Sequence, residues 1–126
     1  MDDWQLDFEW LRVRHIVKDA MQKSDLPDLQ SILFLIGIQE YGRWNADQGF
    51  SKEEKQDLMH VAVCTLLEGE GYYEFIGRDQ DGWPHWKEAN GFEIEGIDKQ
   101  EAFLKKKVIA YFQDQITTEQ VEQKTN

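Results

Sequence analysis

The densest gathering of side chains able to do chemistry surrounds His85, which stands between Pro84 and Trp86 and follows the acids Asp79 and Asp81. An imidazole titrates near neutral pH and, when a carboxylate orients it, serves as a general acid, a general base or a metal ligand. With Glu40 as an acid from elsewhere in the chain, these residues outline a small-molecule or metal-binding site, with catalysis as an option. Read as a calcium loop, Gly77 to Glu88 places Asp79, Asp81, Gly82 and Glu88 at the third, fifth, sixth and twelfth positions. The match is partial, because Gly77 replaces the first acid and Pro84 the apolar eighth residue. No bound metal or cofactor is expected.

Other reactive residues are more isolated. Asp57 and His60 have the spacing of a metal-binding pair on one helix face, but such sites need a second pair, and His15 follows Arg12 instead. Both histidines are expected at the surface. Cys64, the sole cysteine, lies in the apolar run Val61 to Leu67 and reads as a buried thiol that forms no disulfide within the chain. There is no Gly-rich phosphate loop, CxxC or HExxH motif, and no serine or cysteine has a nucleophile's setting. The chain therefore reads as a non-enzyme, with the His85 cluster as the alternative.

The elements that must position these residues are mostly helices. Leu6, Trp10, Val13 and Val17 recur at helical spacing and predict a helix over about Trp4 to Gln22. Its first residues, Trp4, Leu6, Phe8 and Trp10, alternate and would also suit a short strand. Ser24 to Asp28 offers a cap, a proline near the first turn and an acid for a second helix that is apolar nearly all round from Ile32 to Ile38 and stops at Gly42. Gly37 within it would admit a close neighbour. Ser51 and Glu54 form a capping box for a third helix over about Lys52 to Glu68. Asp98 and Glu101 repeat that arrangement for a fourth, followed by a polar tail over 117–126.

Between the third and fourth helices, Tyr72 to Glu88 predicts a β-hairpin, with Asp79-Gln80-Asp81-Gly82 as its turn. Alternation puts Trp83 and His85 on one face of the second strand and Pro84 and Trp86 on the other, so each face carries a tryptophan. A hairpin lying on a helical core covers one face only. The second needs a roof, from the segment Asn90 to Ile97, from the N-terminus or from another molecule. A protein-interaction surface made of Tyr72, Phe75, Trp83, His85 and Trp86, with Trp44 from a nearby loop, is the resulting expectation.

The chain has 126 residues and no linker-like stretch, so one domain is expected over 1–116, a mostly α bundle of four helices with the hairpin inserted. With 25 acidic and 14 basic residues its formal charge is -11, which disfavours nucleic acid and anionic membranes as partners. The longest apolar run is Ile32 to Ile38, too short to span a bilayer, and the first residues lack a signal peptide's basic start. A soluble, cytoplasmic interaction module is expected, binding a protein partner or a second copy through the aromatic hairpin.

Overall fold

A computed structural model of the chain describes the backbone of residues 2–42, 49–89 and 97–124, and the side chains of 2–42, 49–89 and 99–113. The fold is mostly α: helices α1 (Asp3–Ala20), α2 (Leu29–Tyr41) and α3 (Lys52–Glu68), a hairpin of β1 (Tyr73–Arg78) and β2 (Pro84–Glu88), and helix α4 (Ile97–Lys124). Two compact units arise from this order. Met1–Leu26 and Glu95–Asn126 form the first, and Pro27–Ile94 the second. Composition gives no sign of the division, since neither crossing is rich in proline, glycine and serine.

In the first unit α1 lies against α4. The helical reading of α1 holds from its first turn, where Asp2 and Gln5 make a reciprocal capping box, so the alternating residues do not form a strand. Leu6, Trp10, Val13 and Val17 are buried, as are Val108, Ile109 and Phe112 of α4. The Lys105 ammonium stands 5.6 Å from the centroid of the Trp10 ring, a cation–π distance. Helix α4 continues to Lys124, past the start of the expected tail, and residues 117–124 contain neither glycine nor proline to stop it. The side chain of Asp98, on which the expected cap depends, lies outside the described residues.

The second unit is built on the pairing of α2 with α3. Asp28 is the α2 cap, its carboxylate accepting from the Ser31 amide at 2.8 Å, and Pro27 stands just before it. Gly42, with φ of 78°, ends α2 in the left-handed conformation that glycine adopts without strain. Ile32, Ile36, Leu58, Ala62 and Leu67 are all but sealed from solvent. At Gly37 the two helices approach so closely that a Cβ there would overlap the carbonyl of Leu58. The Ser51–Glu54 capping box forms in both directions, at 3.1 and 3.0 Å, and holds Glu54 below its usual carboxylate pKa through the backbone and side-chain bonds of Ser51.

Candidate functional site

The hairpin turn organises the candidate site. Gly82, with φ of 83°, donates its amide to the Asp79 carbonyl, and the Asp79 amide donates to Trp83, closing the expected turn with glycine at its left-handed position. The Asp79 carboxylate then does three things. One oxygen accepts the amides of Asp81 and Trp83, each at 2.9 Å, and the other meets His85 Nε2 at 2.9 Å. The His85 hydrogen bond, followed by the Trp83 amide, holds the Asp79 carboxyl below its ordinary pKa. With Asp79 ionised, Nε2–H of His85 is the donor. The stretch that spells a partial calcium loop is thus a hairpin turn whose leading acid is committed to its own backbone.

Strand register sets the faces. Phe75 pairs with Trp86 and Tyr73 with Glu88, whereas beyond Phe75 a bulge at Ile76 shifts the pairing so that Gly77 opposes His85 and Arg78 opposes Pro84. Gly77 carries a φ of 125°, which a side-chain-bearing residue would adopt only with strain. Phe75 and Trp86 meet edge to face, with ring centroids 5.3 Å apart. Pro84 is buried, Trp86 is half-buried, and both strands lie on α3. Trp83, just before β2, packs on Tyr41 at the end of α2, with ring centroids 4.6 Å apart and the planes tilted by 54°. Each tryptophan therefore has a ring partner within the chain, and Trp83 finds its cover on α2.

Arg78 fixes this arrangement, and sequence reasoning missed it. Its guanidinium donates to the carbonyls of Glu40 at 2.8 Å, Tyr41 at 3.0 Å and Gly82 at 2.9 Å. The first two belong to the last turn of α2, where carbonyls lack helical partners and the helix dipole is negative. One cation thus caps a helix and ties the hairpin turn to it. A basic residue just before a turn was the available signal, but its target is nearly forty residues earlier in the chain.

Two shallow clefts flank β2. The first, about 180 Å³, is lined by Asp57, His60, Val61 and Cys64 of α3 together with the run Trp83 to Trp86. The second, about 200 Å³, is lined by Glu40, Thr65, Glu68, Phe75, Arg78, Pro84 and Trp86. Both are smaller than the several hundred Å³ of a typical small-molecule pocket. His85 and Glu40 fall in different clefts, and Asp81 lines neither. Of its proposed acid partners, Asp79 is bonded to His85. Trp86 borders both clefts, and its indole Nε1 is buried with no acceptor among the described residues.

Cys64 is buried, its Sγ 3.6 Å from His60 Nδ1 one turn away, and burial pushes its pKa up to about 11. A thiol in that state stays protonated at neutral pH and is a poor nucleophile. Burial likewise raises the Tyr73 hydroxyl, with lesser contributions from Cys64 and Glu88. Among the described residues no group of three or more histidines, cysteines and acids is gathered as metal ligands would be, and no helix is long and apolar enough to cross a membrane.

The remaining expected residues divide simply. Tyr72 is half-buried at the base of the hairpin, where its carbonyl accepts from the Ala89 amide, whereas Phe75 and Ile76 are exposed large apolar residues at 44% and 63%. Trp44 and most of the Asn90 to Ile97 segment lie outside the described residues. The chain matches no protein-family model, no curated protein and no solved structure, so its own geometry carries the functional reading.

Proposed function

We propose that the protein is a non-catalytic interaction module whose hairpin presents Phe75 and Ile76 to a protein partner. The observation that carries this reading is their exposure at a bulge in a hairpin tethered by Arg78 to the end of α2. Exposed aromatic and aliphatic side chains on a tethered strand bind without a large ordering cost, and aromatic anchors dominate interface energetics. Phe75 already leans on Trp86, so part of its surface is preorganised. The exposed acids Glu74, next to Phe75 in the strand, and Glu88, on the facing strand, border this patch, and Glu68 lines a cleft with Phe75, which fits a partner whose apolar segment is flanked by lysine or arginine.

The alternative, a small-molecule or metal site using His85 with Asp79, Asp81 and Glu40, has weaker support. Its acids are dispersed, and Asp79 already serves the turn. The test compares the immobilised protein with its Ile76→Asp variant in one cell extract. A protein retained by the first and lost from the second supports the reading. Identical bound sets overturn it.

A further inference from the structure

Helix α1 carries a second apolar face that no described residue of its own unit covers. Trp4, Phe8 and Leu11 are 66%, 61% and 44% exposed, and their spacing of four and three places them in one stripe. The buried residues Leu6, Trp10, Val13 and Val17 are offset from that stripe by two positions, about 200° around a helix, and so form the opposite face. The alternation that resembles a strand in the sequence becomes, on a helix, two apolar faces back to back. Two exposed aromatics and a leucine on adjacent turns form a contiguous patch, unlike scattered surface apolar residues.

The charges on α1 are segregated along its axis. Asp3 and Asp7 occupy its beginning, whereas Arg14 and Lys18 occupy its later turns on the same side of the stripe, with Asp19 the one acid beyond them; Glu9 and Arg12 between them pair with each other at 3.3 Å. We propose that two copies of this chain pair through the Trp4–Phe8–Leu11 face of α1, with the two helices antiparallel. That direction sets the acidic half of each helix against the basic half of the other, while a parallel pairing would set like against like. Crossing near Leu11, it brings Leu11 to its counterpart and Trp4 of each copy toward Lys18 of the other, an ammonium able to lie over an indole face. Asp7 and Lys18 flank the same side of the stripe, so in the antiparallel pair they lie across the seam about three residues, roughly 4.5 Å, out of level, a gap that a lysine side chain spans. An acidic chain repels its copies over long range, and the local complementarity selects one geometry despite it.

This pairing uses a surface separate from the hairpin and stands independently of the interaction proposed there. Sedimentation equilibrium of the purified chain tests it, the expected mass being twice 14.9 kDa. Phe8→Asp weakens the dimer by about a hundredfold, as loss of a central aromatic anchor does. Circular dichroism stays unchanged because the side chain is exposed. Asp7→Lys and Lys18→Asp each weaken it by about threefold, and the double variant recovers the wild-type affinity. Ile76→Asp leaves the mass unchanged. A monomer at all concentrations overturns the proposal, as does a dimer that survives Phe8→Asp or is lost with Ile76→Asp. Failure of the double variant to recover overturns the antiparallel arrangement.

Discussion

The α2–α3 pair and the β-hairpin belong to one compact unit but are held by different forces. The helices meet through apolar burial so close that Gly37 faces the Leu58 backbone without room for a methyl group. The hairpin, in contrast, rests on α3 with one buried proline and a half-buried tryptophan, and its turn is fixed by three hydrogen bonds from an exposed arginine. Apolar burial is non-directional and tolerates no added volume once close-packed, whereas a few polar bonds at a surface give orientation at a small energetic stake. The difference separates a scaffold from a presented element. A surface that must meet a partner is better placed on the second, where substitutions outside the packing change binding without unfolding the unit.

The largest expected effect breaks the scaffold. Gly37→Ala forces α2 away from α3 and is expected to lower unfolding free energy by about 3 kcal/mol or more, read from the urea midpoint. A loss below about 1 kcal/mol would show that the helices separate easily and that the contrast is overstated. Next, Arg78→Met removes the clamp while retaining length. Its expected global cost is about 1–2 kcal/mol, because the bonds are charge-assisted but exposed. Amide exchange is expected to quicken at Asp79 and Ala89 and to stay slow at Ile36. Equal acceleration at all three would mean that hairpin and helices open as one.

The smallest effect concerns pH. The Asp79 carboxyl is held below its ordinary value of 3.8, mainly by His85 and then by the Trp83 amide. A depressed folded pKa means that this stabilisation is fully present above the unfolded value and is lost as pH falls through the folded one. The amide signals of Asp81 and Trp83 are therefore expected to hold steady from neutral pH to about 4 and to shift together below it. Asp79→Asn should abolish that step. A shared step well above pH 4 in the wild type would assign control of the turn to another group.

Much of the local structure was legible because its signals are local. Ser51 and Glu54 start α3 where the capping box requires, Gly42 ends α2, and Asp79 to Gly82 makes the turn by side-chain-to-backbone bonds within a few residues. The candidate site was legible only in part. His85 and Asp79 meet because the turn joins them, whereas Glu40 contributes to the hairpin through its carbonyl and lines the other cleft. Trp83 needed a roof, and Tyr41 provides it from another element. No periodicity encodes that encounter. The bulge at Ile76 was equally hidden, since one unpaired residue alters the register without a distinctive composition.

What the sequence by itself determined is where α3 begins, where α2 ends, where the hairpin turns, and which residues are apolar. Those outcomes depend on dihedral preferences and hydrogen bonds between near neighbours. Only the tertiary structure decided which apolar faces are covered. Leu6 and Trp10 are as apolar as Trp4 and Phe8, yet the first pair is buried and the second exposed. Burial depends on what packs opposite a side chain, and that is set by contacts far apart in the sequence.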